Sequence, residues 1–280
     1  MGVGDSNNVI KEKTMSLRIQ NNVEAMTAHR NLSNTSAKIA TSMERLSSGF
    51  RINRASDDAA GLAISERMRG QIGGLGQAQR NIQDGVSLVQ TAEGNLDEVH
   101  SMLQRVRELA VQYKNGTLGD SDKAAIQTEV NQLASEIERI GTSAKFNGVT
   151  LLAADSAITF QVGASDGETI TISTISLGSS VGADFATLSA DDAISAIDAA
   201  INNVSAARAT FGAVQNRLDH SLNATAVYQE NLVAAESRIR DVDMASEMVE
   251  LTKQQILQQA GTAMLSQAKS APQSVLSLLQ

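Results

Sequence analysis

The chain has no cysteine, no tryptophan, one proline in 280 residues and only 2% aromatic side chains. Lack of cysteine excludes disulfides, thiolate metal sites and a cysteine nucleophile. With so few rings, a core must be built from Ala, Val, Ile, Leu and Met, which suits thin helical seams better than a thick globular centre. The single proline, Pro272, leaves almost the whole chain free to be helical. A net charge of −8 argues against nucleic acid or an anionic membrane as a main partner. No apolar run approaches the roughly 18 residues of a membrane span. The N-terminus also lacks the basic, apolar and small-residue blocks of a cleaved secretory signal, so a chain that leaves the cell would use another route.

What the sequence does contain is helical periodicity. Between Asp57 and Gln112 the larger apolar residues (Met68, Ile72, Leu75, Ile82, Val86, Val89, Leu96, Val99, Leu103, Val106) recur mostly three or four apart, one stripe of a long helix. At 1.5 Å per residue that stretch would be a rod of roughly 80 Å. Gly70, Gly73, Gly74, Gly76, Gly85 and Gly94 each cost it about 1 kcal/mol against alanine. Such a rod needs other helices beside it, and its small residues would let them approach closely. Asp57 is the expected N-cap, Asp58 stands in the first turn, and Asn115 or Gly116 is expected to take a left-handed C-cap.

Other stretches repeat the pattern. Ile19, Val23, Met26, Leu32, Ile39, Met43 and Leu46 form an N-terminal stripe that breaks at Ser47-Ser48-Gly49. A third helix is expected from Asp120 or Ser121 to Gly141. Ile158, Phe160 and Val162, then Ile170 and Ile172, alternate around Asp166-Gly167 as a β-hairpin. Residues 173–190 are small, polar and weakly constrained. A second rod is expected from about Ser189 to Arg240, followed by a polar joint at 240–243 and a last helix ending near Ala268.

The expected fold is therefore mainly α: a long antiparallel coiled-coil-like helical bundle with a small β-hairpin region at about 145–177 and a short variable segment at about 173–190. Residues 51–243 form the rod domain. Residues 15–50 and 244–280 supply terminal helices at one pole, where nothing else in the chain covers them. Another copy is the expected partner, with Ile19, Val23, Met26, Leu32, Ile256, Leu257, Leu265, Val275, Leu276, Leu278 and Leu279 as terminal assembly residues, ordering as they polymerise. Residues 1–14 are polar and read as an unstructured extension. Lys11-Glu12-Lys13 can be encoded by a purine-rich ribosome-binding string ahead of the Met15 codon, so the natural chain is expected to start at Met15 or Ser16.

Several blocks carry a family resemblance. ERLSSGFRINRASDDAAGLAIS (44–65), QRVRELAVQ (104–112), FNGVTLL (146–152), QVGASDGETI (161–170), ESRIRDVDMASEM (236–248) and a terminal VLSLLQ resemble bacterial flagellin in the family's order. The resemblance implies a structural subunit that self-polymerises into the flagellar filament for swimming motility, with the terminal helices as an inner tube and the rods around it. It also implies no enzymatic activity and no cofactor, export through the type III apparatus, and an extracellular flagellar location. The implied partners are further copies, a secretion chaperone on the C-terminal helix, and hook–filament junction and filament cap proteins. The alternative within the family is a hook–filament junction protein.

Gln104, Arg105, Glu108 and Leu109, with Glu129 from the next helix, form an implied patch that serves self-assembly and is gripped by the animal Toll-like flagellin receptor. Within 44–65, the segment recognised by plants, Phe50, Arg54 and Ser56 depart from the family's small residues and lysine. The histidines His29, His100 and His220 share no metal-ligand spacing. GQIGGLG (70–76) follows no strand and lacks the Lys-Ser/Thr of a phosphate loop.

Overall fold

The computed structural model describes residues 21–181, 187–188 and 193–278. Ile19, Leu279, residues 1–14 and residues 182–186 and 189–190 of the 173–190 segment lie outside these described residues. The elements are α1 (Val23–Ser48), α2 (Ala59–Tyr113), α3 (Asp120–Ser143), β1 (Lys145–Phe146), β2 (Val149–Thr150), β3 (Ala157–Gln161), β4 (Thr169–Ser173), α4 (Leu177–Val181), α5 (Ala193–Arg240) and α6 (Met244–Leu278). They divide into two compact units, Met1–Ala63 with Ser237–Gln280, and Ile64–Glu236.

The larger unit is seamed by α2, α3 and α5. Ile82, Val89, Leu96, Val99, Leu103 and Val106 of α2 are buried with Val130 and Ile137 of α3, and with Ile197, Val204, Phe211 and Leu218 of α5. The pairs joining α2 to α5 run in opposite directions along the two helices. Gln79 Nε2 donates to Gln229 Oε1 at 2.8 Å, Arg208 reaches Asp97 at 2.9 Å, and Arg107 reaches Asp198 at 2.6 Å. The predicted rods are thus antiparallel.

Two hairpins follow α3. The first joins β1 to β2 through Asn147 (φ 46°) and Gly148 (φ 83°), the two positive φ values of a type I′ turn. The second pairs Ile158 with Ile172 and Phe160 with Ile170. Its expected Asp166-Gly167 turn forms, with Glu168 N donating to Ser165 O and Gly167 at φ 87°. This hairpin lies on α2 and α5: Asn81 Nδ2 donates to Gln161 O at 3.2 Å, and Thr225 Oγ1 to Val162 O at 3.4 Å. Gly74 is small for a reason, since a Cβ there would stand 3.1 Å from Ala164 Cβ. Gly73 has open space.

In the smaller unit α1 and α6 pack against each other. Asn22 Oδ1 caps α1 by accepting from Ala25 N at 3.0 Å, and Gly49 (φ 77°) closes it with its N–H on Arg45 O. The 49–58 joint is tied to the last residue of α5 and the joint that follows it. Arg51 N donates to Arg240 O, Val242 N to Gly49 O, and the Arg240 guanidinium sits 4.7 Å from the Phe50 ring centre.

Five expectations are corrected. Asp58, not Asp57, caps α2: its Oδ1 accepts from Gly61 N at 2.9 Å, while Asp57 Oδ2 takes the amides of Asn53 and Arg54 and folds the preceding turn. Neither Asn115 nor Gly116 is left-handed. The Asn115 side chain instead accepts from Thr117 N, satisfying the helix exit locally. Gly141 does not end α3; it lies inside the helix, where Leu177 Cβ would stand 3.3 Å from an added Cβ.

The segment after the second hairpin is also less loose than its polarity suggests, because Leu177, Val181 and Leu188 are buried. Finally, α6 runs past Ala268 and through Pro272 to Leu278. A proline has no amide hydrogen, so the carbonyl four residues earlier, that of Ala268, loses its helical donor. Asn22 Nδ2 supplies a replacement, donating to Ala268 O at 2.7 Å.

Candidate assembly surfaces

The terminal helices carry the larger apolar surface. An isolated amphipathic helix buries one stripe, and α1 and α6 pack theirs against each other. Pairing half-buries Leu32, Ile39, Leu46 and Leu265 and buries Leu251 and Gln254. Leu32 Cδ1 comes within 3.5 Å of where a Cβ on Gly261 would be. Other large apolar side chains described on these helices face solvent: Val249 is 71% exposed, Met26 70%, Met264 64%, and Val23 and Ile256 61% each. Leu257, Met43, Met244 and Met248 are also exposed.

Between the two helices runs a groove of about 1070 Å³, with Val23, Leu32, Leu257, Gly261 and Met264 in its walls. Of the predicted terminal residues, Val23, Met26, Leu32, Ile256, Leu257 and Leu265 are therefore all placed on this helix pair. Val275, Leu276 and Leu278 continue the α6 backbone. Met43, Met244, Met248, Val249 and Met264 also face outward and were not singled out from sequence as assembly residues, although Met43 belongs to the N-terminal stripe.

The second surface lies on the larger unit. Arg105 of α2 is held by two carboxylates: Glu108 one turn on at 3.2 Å, and Glu129 of α3 through Nε and Nη2 at 3.1 and 3.0 Å. The Glu129 hydrogen bond chiefly, then that of Glu108, raises the guanidinium's already high pKa further. Arg105 and Glu129 are about half exposed and Glu108 more so, so the pairs fix geometry more than stability. Gln104 is exposed beside them and hydrogen-bonds His100 at 2.9 Å. Leu109 does not join this face. At 2% exposure it belongs to the core with Leu103 and Val106, so the predicted patch is polar in this chain and its leucine points inward.

Nothing else in the described residues gathers chemistry. His29, His100 and His220 stand on α1, α2 and α5, and no group of three His, Cys, Asp or Glu is placed to hold a metal. No described helix is long and apolar enough to cross a membrane. Asp57 is held below the ordinary carboxylate range by the Arg54 and Asn53 amides, as befits a turn anchor.

The comparisons agree with this arrangement of helices. Residues 19–157 match the bacterial flagellin N-terminal helical region, and residues 194–279 match the bacterial flagellin C-terminal helical region. The chain is 52% identical over 272 residues to a flagellin of Halalkalibacterium halodurans, covering 94% of this chain and 99% of the relative. It is 47% identical over 284 residues to the flagellar filament 33 kDa core protein of Treponema phagedenis, with the same coverage. Among solved structures, a flagellar hook-associated protein of Vibrio parahaemolyticus is similar in fold alone. It has a TM-score of 0.56 and 17% identity, over 66% of this chain and 100% of that one. On sequence, coverage and helical architecture together, the chain belongs to the bacterial flagellin family.

Proposed function

We infer that this chain is a structural subunit of a bacterial flagellar filament, and that it polymerises by burying the outward faces of α1 and α6 against further copies. The observation that carries this reading is the exposed apolar set on the paired terminal helices, in a chain related over nearly its whole length to flagellins and filament core proteins. Burying one such side chain completely is worth about 1.5–3 kcal/mol, and a polymer offers each copy several neighbours. Flagellin is a structural family, and its place is the flagellum. The junction-protein alternative is not favoured, since the likeness to a hook-associated protein extends to fold alone.

Finer features of the reading follow from the same surfaces. The α1–α6 unit is the inner, assembly-forming part. Before export the exposed face of α6 is the surface for a secretion chaperone. Junction and cap proteins would meet the same helices at the filament ends. The Arg105–Glu129 face is a contact between copies, and the polar patch that the animal Toll-like receptor would meet on the monomer. Electron microscopy of the purified chain, after addition of sheared filament seeds, tests the central reading. Filaments elongating from the seeds are expected, and a solution that stays monomeric would contradict it.

A further inference from the structure

Five of the exposed large apolar side chains are methionines: Met26, Met43, Met244, Met248 and Met264. All five lie on α1 or α6. Met68 and Met102, on α2 in the larger unit, are half-buried. A chain with no cysteine and no tryptophan has no competing thiol or indole, so the thioethers are its most readily oxidised groups. Sulfur chemistry is thereby concentrated on the surface assigned to assembly. Met248 stands on an apolar patch with Val249 and Ile256, and Met264 lines the groove between the helices with Val23 and Leu257.

We propose that these five methionines are modification sites, oxidised by hydroperoxides in the unassembled chain and shielded in the filament, so that oxidation blocks subunit addition. The inference rests on the filament reading. In the step itself a thioether sulfur attacks one oxygen of hydrogen peroxide. The S–O bond forms as the O–O bond breaks, and proton transfer releases the second oxygen as water. The sulfur loses two electrons to give the sulfoxide, and the peroxide is reduced by two. The product replaces a flexible apolar side chain with a polar, chiral one. Burying it in an apolar contact then requires a hydrogen-bond donor that a neighbouring copy of the same apolar face lacks.

The test uses the full chain. Monomer is treated with hydrogen peroxide until mass spectrometry shows sulfoxide at the five positions, then freed of peroxide and offered to filament seeds. Elongation slowed by roughly tenfold or more is expected, equivalent to about 1.4 kcal/mol. Repair with a pair of sulfoxide reductases, one per epimer, restores the rate without any change of sequence. A variant carrying Met→Leu at all five positions, a nearly volume-conserving change, elongates equally well before and after peroxide. Unaltered elongation of the fully oxidised chain would overturn the proposal. So would an equal loss in the leucine variant, which would trace the effect to Met1, Met15, Met68 or Met102. If the untreated chain itself fails to elongate seeds, the filament reading falls and takes this one with it.

Discussion

Asn22 is asked to do two things at once, and that can be taken apart. Its Oδ1 caps α1 through Ala25 N, and its Nδ2 holds the Ala268 carbonyl that Pro272 leaves without a donor. Asn22→Ala removes both contacts. The cap is worth about 0.5–2 kcal/mol, and the cross-helix bond about 0.5–1.5 kcal/mol, so the pairing of α1 with α6 should weaken by about 1–3.5 kcal/mol. Asn22→Asp keeps a good cap but cannot donate at neutral pH, and should lose only the second part. Pro272→Ala restores an amide hydrogen four residues after Ala268, so the helix can satisfy its own carbonyl. Asn22→Asp made on the Pro272→Ala chain should then cost about 1 kcal/mol less than on the natural sequence, a coupling of the size expected for groups sharing one partner.

The assay is hydrogen exchange of amides in α1 and α6 of the monomer, where that coupling appears as about a fivefold difference in protection. If Asn22→Asp costs the same with and without the Pro272→Ala change, the side chain does not replace the missing amide. The account of how α6 passes its proline would then be refuted.

Three further outcomes are expected. Gly73→Ala should stabilise the larger unit by about 1 kcal/mol in urea unfolding, while Gly74→Ala should gain nothing or lose up to about 2 kcal/mol because Ala164 stands in the way; equal gains would show that the hairpin is not seated there. Leu218→Ala, at a fully buried position facing Gly85, should cost about 2–5 kcal/mol by the same measurement, and a loss under 1 kcal/mol would contradict the seam. Asp57 has its folded pKa lowered by backbone amides, so its contribution is complete above its ordinary value of 3.8 and is lost as pH falls through the lower folded value. Exchange protection of the Asn53 and Arg54 amides should fall over that acid range in the natural chain and show no such step in Asp57→Asn.

The helices were legible because periodicity is a local signal: Ile82 to Val106 and Ile197 to Leu218 announce their buried faces by spacing alone. Terminal details were not. Asp57 and Asp58 are adjacent and chemically identical, and only the backbone decides which one caps. Asn147-Gly148 carries a strong short hairpin signal, yet its two-residue strands are too short for alternation to show. Leu177 and Leu188 are buried by distant elements amid small polar neighbours, so composition concealed them. The bond from Asn22 to Ala268 joins residues at opposite ends of the chain and has no sequence signature. Leu109 shows the limit at the candidate site. Arg105 and Leu109 stand four apart, so helix spacing alone places them on one face, yet Arg105 is exposed and Leu109 is buried.

The absence of cysteine provides the most direct test of the central claim. Val249→Cys places one unique thiol at the most exposed large apolar position of α6 among the described residues. Its reaction with a soluble thiol reagent can be timed in the monomer and in seed-grown filaments. The account predicts rapid labelling of the monomer and strong protection in the filament; equal labelling in both states would contradict assembly through the terminal helices.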